Sequence, residues 1–235
     1  MASLRREGDV FLLDLGEGDI RFNGDSVGSI ERCLDEVEAA APCALVTVAS
    51  GKVWSNGLDL QWIAGQGAAA PAFVMRVHEL LARFLEIGVP TVTAIQGHVF
   101  AAGAMLALAH DERVMRADRG YFCLPEVDIN IPFTPGMSAL IAARLPAQAA
   151  HETMVLGRRL GGVEALAAGI VQAAVGQDEV QAVAVQRAAA LSGKDRATMH
   201  TIKARLYEGT LAALRGPQGL GEIEQELDGA DAALA

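Results

Sequence analysis

One carboxylate stands out among the residues that could do chemistry. Glu126 follows Pro125 and the apolar segment Tyr121–Leu124, and it precedes a second apolar stretch, Ile129–Phe133. A carboxylate beside apolar side chains loses hydration, which raises its pKa toward neutral pH and suits a group that both takes and returns a proton. A solvated loop glutamate next to Asp128 fits the same residues, and the local sequence leaves both interpretations open.

Two short segments rich in small residues could supply a second chemical element, a pair of backbone N–H donors. Residues 51–60 (GKVWSNGLDL) and 97–106 (GHVFAAGAML) form an internal repeat, and each copy leads from a strand toward a helix. Free amides at a helix start can stabilise negative charge on a reacting oxygen. Tight packing of a helix on a sheet also favours small residues, so a structural role remains the alternative.

The elements that must position these residues alternate along the first half of the chain. Buried-type strands are predicted at Val10–Leu15, Ala44–Ala49, Thr91–Ile95 and Tyr121–Leu124. Helices are predicted after a cap at Asp25 or Ser26, after Pro71, and over Ala104–Ala109. Strands alternating with helices predict an α/β fold with mainly parallel pairing. From Ala147 onward the pattern is mostly helical. The internal repeat of residues 51–60 and 97–106 indicates either two successive turns of one spiral or a chance likeness.

Composition excludes several classes of function. The 235 residues are 51% hydrophobic and carry 19 basic and 29 acidic side chains, a net charge of −10, which argues against nucleic acid as the main partner. Three cysteines without metal-ligand spacing, and an N-terminus without an apolar signal segment, predict a cytoplasmic protein. The five histidines show no metal-ligand spacing, and no apolar run is long enough for a membrane span.

The three chemical segments resemble those of the enoyl-CoA hydratase/isomerase, or crotonase, superfamily, over roughly residues 10–175. WSNGLDL is similar to the family signature Phe-Ser-x-Gly-Leu-Asp, with Trp54 at the place of the phenylalanine. The resemblance implies a crotonase-like spiral of strand–strand–helix repeats over residues 1–175 and a helical C-terminal region over 176–235. It also implies a homotrimer or a dimer of trimers.

The resemblance also implies roles for single residues. The amides of Leu58 and Ala102 would form an oxyanion hole, and Glu126 would be the catalytic acid and base. Many family members have glycine at the position of Ala102, and His98 has no family role. The substrate pocket is expected to include Trp54, Gly57, Gly103, Met105 and Phe133.

Met105 separates two reactions of this family. Hydratases carry a second glutamate at this place, six residues before the aspartate matched by Asp111, and methionine cannot replace it in holding water. One carboxylate can still move a proton between two carbons, and LPEVDINIPF resembles the segment of 3,2-enoyl-CoA isomerases. We therefore expect a metal-free isomerase that needs no cofactor beyond the CoA of its acyl-CoA substrate. The alternatives are a hydratase or other thioester chemistry, and a catalytically silent acyl-CoA-binding trimer.

Overall fold

A computed structural model of the protein describes residues 1–40 and 42–218. Its strands are β1 (Ser3–Glu7), β2 (Val10–Glu17), β3 (Arg21–Phe22), β4 (Ala44–Ser50), β5 (Val53–Ser55), β6 (Gly57–Leu58), β7 (Thr91–Ile95), β8 (His98–Phe100), β9 (Glu112–Arg116), β10 (Phe122–Cys123) and β11 (Ala173–Val175). Its helices are α1 (Gly24–Ala39), α2 (Leu60–Ala64), α3 (Ala70–Glu86), α4 (Ala102–Ala109), α5 (Pro135–Arg144), α6 (Ala147–Met154), α7 (Gly162–Ala167), α8 (Val180–Ala189), α9 (Arg196–Leu206) and α10 (Glu208–Arg215).

The main sheet has the strand order β1-β2-β4-β7-β9-β11, in which β1 pairs antiparallel and the other neighbours pair parallel. Each of β4, β7 and β9 is followed by a strand of a second, parallel sheet of order β10-β8-β5, and then by a helix. The predicted α/β class and the spiral of strand–strand–helix turns are confirmed. The internal repeat corresponds to two such turns, since Val53 pairs with His98.

Both faces of the main sheet are covered, as the nearly continuous apolar strands require. Leu12, Val46 and Val92 belong to one buried cluster with Val180 and Ala184 of α8. The opposite face packs against α1, α3, α4 and α5 in the larger core. Helices α9 and α10 pack on α3 and α5, so they contribute to the walls around the larger core.

Glycines at the corners between the two sheets allow successive turns to stack closely. A Cβ on Gly97 would collide with the carbonyl of Lys52 in the preceding turn, and one on Gly120 would lie 2.6 Å from the Gly97 carbonyl oxygen. Contacts this short exclude any side chain. The close stacking brings the loops that follow β5, β8 and β10 together at one place.

Several sequence predictions need correction. The cap of α1 is Asn23, whose side chain accepts from the Ser26 amide, while the Asn23 amide donates to the Ser26 hydroxyl. Strand β1 was not predicted because its sequence, SLRRE, is polar and mostly exposed. The mostly helical C-terminal half also contains the edge strand β11. Residues 219–235 of the predicted helical region lie outside the described residues. No helix in the described part is both long and apolar enough to cross a membrane.

Candidate active site

The loops that follow β5, β8 and β10 meet at a cavity of about 420 Å³. Helices α2, α3, α4 and α5 contribute much of the rest of its wall. Four of the residues predicted for the site line this cavity: Leu58, Ala102, Met105 and Glu126. They come from three separate segments of the sequence, and the stacking of the spiral turns brings them together.

The Leu58 amide lies in the short strand β6. In the pairing of β6 with β3, the Asp59 amide donates to the Phe22 carbonyl at 3.0 Å. The Asn56 amide donates to the Ile20 carbonyl at 2.8 Å, so the backbone is held on both sides of Leu58. Gly57 precedes it at φ 82°, and a Cβ there would lie 2.7 Å from the Ala102 amide nitrogen. The segments that carry the two amides are therefore in direct contact.

The Ala102 amide is the first of helix α4, and such amides have no partner within their own helix. Ala101 before it has φ 50° and ψ −129°, a conformation that non-glycine residues rarely adopt and that costs about 1–3 kcal/mol. The Ala101 amide donates to the Cys123 carbonyl at 3.1 Å, which helps to hold this turn. Ala102 itself is the first residue of helix α4, where an alanine meets no backbone strain.

Glu126 is held by a compact turn. The amides of Asp128 and Ile129 both donate to the Pro125 carbonyl, and the Ile131 amide donates to the Glu126 carbonyl at 3.0 Å. The side chain is only 6% exposed, and among the described residues its buried Oε2 has no hydrogen-bond partner. Burial raises the pKa of Glu126 from 4.5 to about 7. Both protonation states are therefore accessible at neutral pH, as a group that accepts and returns a proton requires.

Met105 lies on α4, three residues after Ala102, and is 1% exposed. Its thioether faces the same cavity as Glu126. Glu126 is the only carboxylate among the described residues that line this cavity. The arrangement can therefore move a proton, but it lacks a second acid for holding or splitting water.

The other predicted pocket residues lie elsewhere. Trp54 does not line the cavity, because its position in β5 directs it into the core, where it is fully buried. Gly57 and Gly103 lie behind the cavity wall; a Cβ on Gly103 would lie 2.7 Å from the Ser55 Oγ. Phe133 lines a neighbouring open groove that shares Glu126 with the cavity.

Several cavity residues were missed by sequence reasoning. They are mostly apolar and most come from helices distant in sequence: Leu60, Ile63, Val74, Thr134 and Met137. The apolar stripe of α3, which includes Val74, was the only available signal, and it indicated core packing. Arg21 and Arg159 supply positive charge at the cavity lining. No group of three or more potential metal ligands occurs in residues 1–40 and 42–218.

Comparison with known proteins identifies the family. The family model described as enoyl-CoA hydratase/isomerase matches residues 28–223. The chain belongs to the enoyl-CoA hydratase/isomerase family. Members of this family carry out isomerase or hydratase chemistry on enoyl-CoA thioesters, so the chain is an enzyme acting on acyl-CoA.

Named relatives include enoyl-CoA delta isomerases and, over a shorter stretch of 138 residues, carnitinyl-CoA dehydratase of Escherichia coli at 35% identity, which covers 58% of this chain and 52% of that protein. Enoyl-CoA delta isomerase 3 of Arabidopsis thaliana is 38% identical over 185 residues, covering 74% of this chain and 76% of that protein. Enoyl-CoA delta isomerase 2, peroxisomal, of the same plant is 37% identical over 190 residues, covering 76% and 79%. The crystal structure of human mitochondrial delta3-delta2-enoyl-CoA isomerase has a TM-score of 0.84 over all of this chain and 92% of that chain; at 20% identity it shows the shared fold.

Proposed function

We propose that this enzyme moves a cis or trans double bond from position 3 to position 2 of an acyl-CoA, with Glu126 as the single proton carrier. The observation that carries the proposal is a buried carboxylate with a pKa near 7 that, among residues 1–40 and 42–218, has no second carboxylate beside it in the cavity. The names of the Arabidopsis relatives support the same reaction.

The first step is removal of a C2 proton by the Glu126 carboxylate. The electron pair of the C2–H bond moves toward the thioester, which forms a dienolate with negative charge on the carbonyl oxygen. The amides of Leu58 and Ala102 would bind this oxygen, and losing one such donor typically costs about 10²–10³ in rate. Both belong to segments fixed by close packing, so they can be aimed before the charge develops.

The second step returns the proton to C4. Electron density moves from the C3–C4 double bond toward C4 as the C2–C3 double bond forms, and the neutral Glu126 donates its proton there. Substrate and product have the same atoms, so neither water nor a redox partner takes part. The reaction needs a side chain that is a competent base when ionised and a competent acid when neutral, which a pKa near 7 provides.

Hydration is the alternative within the family, and Met105 argues against it. Adding water across a double bond calls for one group to hold the water and another to deliver a proton. Met105 is apolar and buried at the wall where a second acid would have to stand. A silent acyl-CoA-binding protein would not need to keep a carboxylate buried at the cost of its hydration.

A direct assay with 3-enoyl-CoA and 2-enoyl-CoA as separate substrates tests the proposal. The wild-type enzyme should convert 3-enoyl-CoA rapidly and hydrate 2-enoyl-CoA poorly, with no added metal or cofactor. Strong hydration by the wild type would reject the isomerase assignment, and no turnover of either substrate would favour the silent protein. The homotrimer expected for the assembly can be checked separately by sedimentation analysis.

A further inference from the structure

The inner end of the active-site cavity is closed by buried side chains. Arg21 and Arg159 are exposed, and we take them to mark its mouth, whereas a group of lining residues from α2, α3, α4 and the start of α5 is less than 9% exposed throughout. This inner wall consists of Ile63, Val74, Met105, Thr134 and Met137. If the thioester lies near the oxyanion amides, this closed end is where the tail of the acyl chain has room to extend.

Thr134 is the one polar side chain of this inner wall, and its hydroxyl is fully engaged. Its Oγ1 accepts from the Met137 amide at 3.2 Å and lies 3.0 Å from Nε2 of His78, which is fully buried behind the wall. His78 Nδ1 lies 3.2 Å from the Leu214 carbonyl oxygen. Because a carbonyl can only accept, Nδ1 carries the hydrogen, and Nε2 must accept from the Thr134 hydroxyl.

Helix α10 holds this arrangement in place. A Cβ on Gly136, in the first turn of α5, would lie 2.8 Å from the Leu214 Cα, so α10 approaches α5 backbone to backbone. The Gly136 amide also donates to the Gln218 side chain at 2.9 Å. Burial lowers the pKa of His78, which keeps the ring neutral and able to accept. The position of Thr134 therefore depends on a relay that starts at α10.

We propose that His78 is a positioning residue for acyl specificity: it holds the Thr134 hydroxyl away from the cavity, so that the inner end accepts an unsubstituted hydrocarbon tail. The inference rests on the proposed function for the identity of the substrate. Without an acceptor at Nε2, Oγ1 still accepts from the Met137 amide, but the hydroxyl hydrogen is free to turn toward the cavity, where it would meet the tail without a hydrogen-bond partner. Such an unpaired polar group disfavours an apolar neighbour.

The test compares a short and a long substrate on His78→Phe, which keeps the ring shape and removes the acceptor. The ratio of kcat/KM for 3-dodecenoyl-CoA to that for 3-hexenoyl-CoA should fall by about tenfold, mainly through KM of the longer substrate, since its tail alone reaches Thr134. Thr134→Val in the same background removes the freed hydroxyl and should restore the ratio. A purely structural role for His78 gives no reason for a second substitution to restore long-chain preference.

His110 offers a matched control. It is also fully buried, with Nε2 2.7 Å from the Thr47 Oγ1 and Nδ1 2.8 Å from the Leu106 carbonyl oxygen. Thr47, unlike Thr134, does not line the cavity. His110→Phe should lower the unfolding temperature without changing the substrate ratio. An equal change of the ratio in both histidine variants, or no restoration by Thr134→Val, would overturn the inference.

Binding of saturated dodecanoyl-CoA and hexanoyl-CoA, measured by calorimetry, separates this inference from the proposed reaction. In His78→Phe, the ratio of the affinity for dodecanoyl-CoA to that for hexanoyl-CoA should fall by the same factor of about ten, even if the enzyme isomerises neither enoyl substrate. An unchanged affinity ratio in His78→Phe would overturn the inference whatever the reaction proves to be. Should His78→Phe fail to fold, His78→Leu removes the same acceptor with a smaller side chain and carries the same expectations.

Discussion

Replacing Glu126 by glutamine should remove activity and at the same time stabilise the protein at high pH. The folded state raises the pKa of Glu126 from 4.5 to about 7, so it binds this proton more tightly than the unfolded state does. Stability is therefore lost as the pH rises from 4.5 through 7. At about 1.4 kcal/mol for each pH unit, the difference amounts to about 3 kcal/mol at pH 8.

Urea unfolding of wild type and Glu126→Gln at several pH values measures this effect. A buried amide also lacks partners, but its cost is the same at every pH, so the change with pH isolates the carboxylate. The free energy of unfolding of the variant, relative to wild type, should increase by about 3 kcal/mol between pH 4 and pH 8. Glu36→Gln, at an exposed position of α1, is the control and should show no comparable change.

The same variant tests the chemistry. Its rate with 3-enoyl-CoA should fall by about 10²–10⁴, and wild-type kcat/KM should rise with pH through a pKa near 7 as the base ionises. A variant that keeps more than about a tenth of the wild-type rate would refute the assignment of Glu126 as proton carrier. A pH-independent stability difference would refute the electrostatic reasoning even if activity were lost.

Three further changes test other parts of the site. Gly57→Ala would place a methyl group 2.7 Å from the Ala102 amide nitrogen, and its steady-state rate should be lower than that of wild type by about 10²–10³. Gly67→Ala is the control: Gly67 is also at positive φ but has open space around it, so this variant should keep the wild-type rate. Met105→Glu should bring a small gain in hydration of 2-enoyl-CoA and a loss of isomerisation, and strong isomerisation by this variant would contradict the single-carboxylate mechanism. Burial lowers the pKa of His110 to about 4, so the free energy of unfolding should fall by up to about 3 kcal/mol as the pH falls from 6.5 through 4. Acid unfolding of His110→Gln should lack this loss of stability.

The order of strands and helices could be predicted because the buried strands are short apolar runs. Thr91–Ile95 was predicted with the bounds that the structure gives, and Ala44–Ala49 differs from β4 by one residue. The internal repeat indicated the spiral because each turn reuses the same close approach at its corners. Strand β1 was missed because an exposed edge strand needs no apolar pattern.

The candidate site could be predicted only in part. Family resemblance indicated Leu58, Ala102 and Glu126, whose segments keep recognisable sequence patterns. The side on which Trp54 lies depends on strand pairing, and the sequence alone did not reveal that it belongs to the core. The contact between His78 and Thr134 joins residues 56 positions apart, and no local pattern relates them.

The path of the transferred proton tests the central claim most directly. In a single turnover of 3-enoyl-CoA carrying deuterium at C2, the label removed by Glu126 should reappear in part at C4 of the product, because one buried carboxylate both takes and returns it. Product that carries only solvent hydrogen at C4, with no label transferred from C2, would contradict the account, in which the buried carboxylate returns the proton before it exchanges with solvent.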